Sequence, residues 1–252
     1  MASAKDLQVK PIASADAIAF VKAHHYSGKV AQNSQLHLGV FMQDRLHGVM
    51  QFGPSLDKRK IQGLVSGTLW HEFLELNRMA FDDVLPRNSE SRALSVAWRL
   101  LKKHAPQVKW VVSFADGTQC GDGTIYRAAG FVLTRIKENT TILEMPDGSV
   151  KADKTLNNTN YKLKGESAGY WKRQGAKAIE GFQLRYMYFI DPAYRARLTV
   201  PELAYSEIKA RGATMYKGQR PTSGTGETDN AAHSNAQTGG ASPTVPLLNH
   251  GS

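Results

Sequence analysis

The segment Trp110 to Phe131, WVVSFADGTQCGDGTIYRAAGF, constrains the fold of this chain more than any other. Trp110 to Phe114 is a dense apolar run, the pattern of a fully buried strand. Asp116-Gly117 is a turn signal. A short helix is predicted next, closed by Gly130 where a residue without a Cβ is favoured. Phe131 then opens another strand, FVLTRI. Strand, polar loop, helix and strand in that order place Asp116 at the carboxyl end of a buried strand, where open α/β sheets keep their chemistry.

The remaining elements alternate around that segment. VKPIA (9–13) predicts a short strand, and Ser14 or Asp16 is expected to cap a helix carrying Ile18, Val21 and the pair His24-His25. LHLGVFM (36–42) and LHGVMQFG (46–53) flank Gln43-Asp44-Arg45 and predict a hairpin. PSLDKRKIQGLVSGTLW is basic and irregular, and FLELNRMAF (73–81) predicts a strand. After a loop to Asn88, SESRALSVAWRLLKKH predicts a long amphipathic helix with Ala93, Leu94, Ala97, Trp98 and Leu101 on one face. Residues 137–181 form an insertion poor in apolar residues and rich in Lys, Asn and Gly, and GFQLRYMYFI (181–190) predicts the last strand.

Composition narrows the setting. The formal net charge is +10 with a sequence pI near 9.6, which points to a polyanionic partner, nucleic acid first. Ten Lys or Arg stand against four Asp or Glu between Val150 and Val200. Cys120 is the single cysteine, so there is no disulfide framework and no cysteine-based zinc site, which fits a reducing cytoplasm. The N-terminus has no signal-peptide core, and no apolar run reaches the roughly 18 residues of a membrane helix. From about Gly212 the chain is rich in Gly, Ser, Thr, Asn and Pro, a composition expected to stay disordered. The division expected is therefore a domain over 1–211 and a low-complexity tail over 212–252.

The spacing Tyr126-x-x-x-Gly130-Phe131 resembles the last signature segment of the acyl-CoA N-acyltransferase (GNAT) superfamily, and the order β-α-β-β-β-α-β-α-β-β is that of its fold. The resemblance implies an α/β architecture with a mixed central sheet in which parallel strands four and five splay apart. It also implies an acyl-CoA whose pyrophosphate rests on a helix amino end, where unpaired N–H groups and the dipole favour an anion. Leu85 to Arg92 occupies that position, with Arg87 and Arg92, Ser89 and Ser91 as anion-holding groups. The usual Arg or Gln with spaced glycines is replaced here by a run without glycine. The bland alternative for this run is a helix cap with surface charges.

Other residues stand out on their own chemistry. Arg78 lies inside a predicted strand, which demands an ion pair or a bound ligand. Asp116 is the acid candidate, or a structural turn residue. Tyr126 is a candidate general acid toward a thiolate, or a packed helix tyrosine. His24-His25-Tyr26 end the first helix, where a histidine can also serve the helix dipole. Cys120 has no histidine at an identifiable spacing and is a poor nucleophile candidate. No HxH, HExxH or CxxC motif is present.

HHYSG (24–28), FLELNRMAF, RNSESRALS (87–95), SFADGTQCGDGTIYRAAGF (113–131) and GFQLRYMYFI together resemble the Mom DNA-modification family of bacteriophages. The resemblance spans residues 1–211. It implies an enzyme that converts adenine in phage DNA to a carbamoylmethyl adenine with acetyl-CoA, in the host cytoplasm, and so shields that DNA from restriction. His25, Asp116 and Tyr126 are then the expected catalytic residues, and Arg78, Arg87, Ser89, Ser91 and Arg92 the expected cofactor-binding residues. Joining adenine nitrogen to the former methyl carbon is hard for acid–base groups alone, so a redox metal such as iron is an added expectation, with His25, Tyr26 and Asp116 as its ligands. Double-stranded DNA would be the partner, its adenine flipped out of the helix. Asp57 to Lys60 and the basic stretch 150–197 would meet phosphates, with Tyr161, Tyr170 and Trp171 interleaved among Lys162, Lys164, Lys172 and Arg173. A homodimer is left open. The rival readings are an ordinary acetyltransferase acting on a protein or small amine, and a non-catalytic DNA-binding protein on the same fold.

Overall fold

The computed structural model describes residues 3–117, 123–157 and 159–214. Cys120, the Lys162 side chain and the expected tail from residue 215 onward lie outside them. Strand β1 (Gln8–Pro11) leads into helix α1 (Ser14–His24). The residue before this helix is Ala13, which has no side-chain acceptor, so neither Ser14 nor Asp16 caps it. Burial of Ala17, Phe20 and Val21 against Val49 and Ala80 of the sheet holds the helix instead.

Strands β2 (Leu36–Met42) and β3 (Arg45–Gly53) form the expected hairpin. Its two-residue turn, Gln43-Asp44, has both residues at positive φ (50° and 61°), the geometry whose twist matches that of the flanking strands. The basic segment contains a short helix, α2 (Lys58–Gln62), before β4 (Phe73–Phe81). Helix α3 (Ser89–His104) buries Ala93, Leu94, Ala97, Trp98 and Leu101, the face its periodicity predicts. Strand β5 (Trp110–Asp116) is followed by α4 (Thr124–Ala128). Gly130, at φ 82°, ends α4 with two reverse bonds, Gly130 N–H to Arg127 O and Phe131 N–H to Tyr126 O, and the Tyr126 and Phe131 rings meet edge to face.

Strand β6 (Val132–Glu138) then opens the insertion, which holds regular elements. Its described part holds β7 (Ile142–Glu144), β8 (Val150–Ala152), α5 (Asp153–Leu156), α6 (Thr159–Leu163), α7 (Ala168–Arg173) and β9 (Lys177–Ala178). Sparse apolar residues far apart in sequence, Leu143, Met145, Leu156, Ala168 and Ala176, converge on a small core of their own. Strand β10 (Phe182–Phe189) returns to the main sheet between β5 and β6, and α8 (Ser206–Ala210) follows. Ala213 is fully buried against the main core, so packing continues two residues beyond the boundary expected at 211.

The seven main strands run in the order β1-β2-β3-β4-β5-β10-β6. All neighbours are antiparallel except β4 and β5, which are parallel. One face of the sheet packs on α3 and α4 around Trp98, Phe52, Leu94 and Phe131. The other face carries α1 and, lower down, α2 with Phe73, Trp110, Val112 and Met187. The insertion core should unfold on its own. Leu156→Ala is expected to cost that core about 2–5 kcal/mol. Hydrogen exchange should then rise across residues 142–178 while β3, β4 and β5 keep their protection. Equal loss in both regions would show a single cooperative unit.

Candidate active site

Parallel β4 and β5 are paired over only four residues each, from Phe73↔Trp110 to Leu76↔Ser113. Beyond Leu76, β4 bonds only to β3, and beyond Ser113, β5 bonds only to β10. The cause is local. The β3–β4 register shifts between Gln51 and Phe52, whose partners are Arg78 and Leu76, so Asn77 is an extra residue in β4. A bulge bends its strand and ends regular pairing. This one lies immediately after the last residue that β4 shares with β5, and it opens the wedge expected between the two strands.

Ser113 stands at the apex. Its Oγ is 3.3 Å from the Leu76 carbonyl and 3.0 Å from Tyr126 Oη. A hydroxyl carries one proton. With that proton given to the carbonyl, Ser113 accepts from Tyr126, and proton movement at either oxygen is felt by the other. Tyr126 is held by an 11° stack on Tyr186 at 4.7 Å and by the edge contact with Phe131. Gly123, at φ 71°, supports this stack, because a Cβ there would lie 2.5 Å from the Tyr186 hydroxyl.

The start of α3 lies on the same face of the sheet. Asn88 precedes it in a left-handed conformation and supplies no side-chain cap. Ser89 N–H bonds to Pro86 O and Arg92 N–H to Asn88 O, which leaves the amides of Glu90 and Ser91 without a backbone acceptor among the described residues. The serine hydroxyls are committed locally, Ser89 Oγ to Pro86 O at 2.6 Å and Ser91 Oγ to Asn88 O at 3.2 Å. Arg92 Nε is buried with no partner among the described residues, and Arg87 is exposed. An orphaned guanidinium nitrogen beside open amides fits an anionic group.

The expected residues divide between the two faces. Alternation along β5 groups Ser113 with Val111 and Ala115 on the α3 side, and Asp116 with Trp110, Val112 and Phe114 on the other. Tyr126 and Asp116 therefore flank the wedge from opposite sides. Arg78 shares its face with Ala80, toward α1, and donates from Nε to Lys29 O at 3.0 Å and from Nη1 to Asn77 O at 2.6 Å. It does not join Arg87, Ser89, Ser91 and Arg92 at the start of α3; its neighbour is His25.

His25 caps α1, its N–H bonded to Val21 O. Its Nδ1 accepts the Ser27 N–H at 3.2 Å and lies 2.9 Å from Ser27 Oγ. A backbone N–H only donates, so the neutral ring carries its proton on Nε2. Burial, and next the charge of Arg78, pull its pKa down to about 4. The helix dipole, which favours a charged histidine, does not win here. Tyr26 is 53% exposed and leans on the imidazole at 4.3 Å. Among the described residues no group of three or more His, Cys, Asp or Glu side chains is placed to hold a metal ion. Iron at the expected ligands His25, Tyr26 and Asp116 has no support from the described residues.

Basic groups surround the same face. Lys29 Nζ donates to Thr155 Oγ1 of the insertion at 3.3 Å, so the insertion, rooted on β6 and β10, reaches back to the loop after α1. Tyr161 and Trp171 pack on the insertion core, with Lys151 Nζ 5.8 and 5.9 Å from their rings, so these aromatics serve packing first. Lys58 lies over Trp70 at 4.2 Å.

The profile of the Mom protein family matches residues 6–207. The chain belongs to the Mom protein family. It is 36% identical over 197 residues to the methylcarbamoylase Mom of Escherichia phage Mu, covering 77% of this chain and 80% of that protein. Solved structures similar to it include a Bacillus subtilis acetyltransferase in complex with CoA, at 9% identity and a TM-score of 0.43, covering 73% of this chain and 98% of that one. Another is a GNAT family acetyltransferase from Elizabethkingia anophelis with acetyl-CoA bound, at 11% identity and a TM-score of 0.41, with the same two coverages. Among the described residues of this Mom-family chain, no helix is long and apolar enough to cross a membrane.

Two measurements check this geometry. The depressed His25 pKa means that the unfolded chain binds a proton more readily, so its contribution is full above about pH 6.5 and is lost as pH falls toward 4. Between pH 7 and pH 4.5 the protein should lose about 2 kcal/mol more unfolding free energy than His25→Gln. Parallel pH profiles for the two would show a normal histidine. Second, Tyr126→Phe and Ser113→Ala should each cost about 1 kcal/mol, and the double variant no more than either alone. Additive losses would show that the two hydroxyls are not bonded.

Proposed function

We propose that this chain modifies adenine in phage DNA, converting its exocyclic amine to a carbamoylmethyl amine with acetyl-CoA as the source of the two-carbon unit. The reading rests on membership of the Mom family across residues 6–207, joined to a β4–β5 pairing that ends at Leu76 and Ser113 with chemically different groups on each face. The site of action would be the host cytoplasm, where the phage DNA meets restriction nucleases.

Acetyl-CoA, when bound, supplies a two-carbon unit carried on a thiol leaving group. The start of α3, with Arg87, Arg92 and the open amides, would hold its phosphates. Ser89 and Ser91 contribute small size and a fixed loop, since their hydroxyls are already bonded. Tyr126 would give its proton to the departing thiolate, with the Ser113 hydroxyl turning from the Leu76 carbonyl to donate to the phenolate left behind.

The opposite face would receive the base. A purine must leave the duplex to reach the parting between β4 and β5. There Asp116 would take the proton lost from the adenine amine, and the Nε2–H of His25 would donate a hydrogen bond to the base. Burial, and next the charge of Arg78, keep that imidazole neutral. Bond formation from nitrogen to a methyl carbon also removes two electrons, so the reaction takes a two-electron oxidant and an ammonia-equivalent donor of the amide nitrogen as co-substrates, while the side chains named here bind and move protons.

The exposed Lys and Arg of the insertion would meet the DNA backbone, which makes binding steeply salt-dependent. Mass spectrometry of nucleosides from DNA of cells expressing the protein tests the reading. Carbamoylmethyl adenine is expected with the native chain and at least a tenfold lower yield with Asp116→Asn or Tyr126→Phe, the order of one general acid–base contribution. Unmodified DNA together with an acetylated protein or small amine would make the chain an ordinary acetyltransferase. Unmodified DNA with no acetyl-CoA binding would make it a DNA-binding protein without catalysis.

A further inference from the structure

Arg185 lies at the middle of β10, an interior strand, and is only 7% exposed. Its cross-strand neighbours are Phe114 of β5 and Arg135 of β6, so Arg185 and Arg135 project from the same face. That face is the one bearing Asp116, whose partner Gln183 is two residues from Arg185. Lys137, exposed and paired with Gln183 across the other edge of β10, adds a third cation there.

The guanidinium is fixed, not loose. Nε donates to Thr134 Oγ1 at 2.9 Å and Nη2 to the Thr134 carbonyl at 3.3 Å. Thr134 is the extra residue of a second bulge, where the β10–β6 register shifts between Arg185 and Tyr186. No carboxylate of the described residues lies within ion-pair distance of Arg185, Arg135 or Arg78, whereas Arg195 and Arg211 are paired with Glu202 and Glu207.

A buried cation without a counter-ion costs several kcal/mol, and a second cation beside it adds repulsion. Burial, and next the charge of Arg135, pull the Arg185 pKa down to about 10. A folded chain carries such a pair at a net cost unless an anion sits against it. Arginine forks bind phosphate oxygens in pairs and keep their charge at any working pH. Strand spacing sets the reach: Arg135 lies two strands, about 10 Å, across the sheet from β5, so a nucleic-acid strand entering the wedge can run over β10 to it.

We propose that Arg185 and Arg135 bind a phosphodiester of the DNA strand that carries the extruded adenine, and so set that base in register with the parting of β4 and β5. The proposal rests on the DNA reading given above. Arg185 is the preorganised inner contact and Arg135 the exposed outer one.

Fluorescence anisotropy with a labelled duplex holding one mismatched adenine, titrated with NaCl, tests it on the full chain. Arg135→Ala should weaken binding about tenfold at 100 mM salt and lower the salt slope by about one, the loss of one phosphate contact. Arg135→Glu should weaken it further. Arg185→Lys keeps the charge but loses the fork to Thr134, and should weaken binding with little change in slope. Lys103→Ala, an exposed cation at the far end of α3, should leave both quantities unchanged, and calorimetric acetyl-CoA affinity should be unaltered in every variant. Native-like slopes in both Arg135 variants would overturn the phosphate strip while the DNA reading stands. Equal losses from Lys103→Ala would reduce the effect to net charge and overturn it too. Lost acetyl-CoA affinity would assign the phosphate to the cofactor instead. Absence of DNA binding by the native chain would remove the DNA reading, and the strip with it.

Discussion

The extra residue Asn77 in β4 is the constraint on which the site depends. Two parallel strands bonded along their full length would seal the sheet and separate its faces. The bulge turns β4 aside directly after Leu76, and Ser113 caps the carbonyl left at the fork. A carbonyl at the end of a ladder needs a donor, and Ser113 supplies one while also touching Tyr126. The same hydroxyl thus closes the backbone accounting of the sheet and ties the proton-bearing tyrosine to the apex.

Division of labour between faces follows from strand alternation. On the α3 side stand the Ser113–Tyr126 couple and the uncapped helix start with the orphaned Arg92 nitrogen. On the α1 side stand His25, Arg78 and Asp116, and further along it Arg185 and Arg135. The second set is rich in positive charge and holds its histidine neutral. Such a surface favours an anionic polymer and disfavours a cationic acceptor amine. The electrostatics of this face therefore agree with the DNA reading proposed for this Mom-family chain, although the two come from independent observations.

Most of the fold was legible in the sequence because its signals are local. The stripe Ala93, Leu94, Ala97, Trp98, Leu101 and the runs at 73–81 and 110–114 mark helix and strands by period and hydrophobicity, and the observed bounds differ by at most two residues. The insertion was not legible. Its core joins Leu143 to Ala176 across more than thirty positions with short elements between, so no window shows a period. The site was legible in part. Asp116 and Tyr126 fall on opposite sides of the β4–β5 parting and His25 lies beside Arg78, but the sequence could not tell on which face each points, since one extra residue in a strand reverses the facing of all that follow. Arg185 was missed although the argument that singled out Arg78, an arginine inside a strand, applies equally to it.

The amino-acid order alone determined the succession of elements, their apolar faces, the glycine that ends α4 and the family to which the chain belongs, because each is written in neighbouring residues. Only the tertiary structure decided where β4 leaves β5, that β10 inserts between β5 and β6, and that two arginines distant in sequence stand side by side with no counter-ion among the described residues. Those outcomes depend on which strands pair and in what register, and pairing is settled by burial across the whole sheet, not by any single stretch of chain.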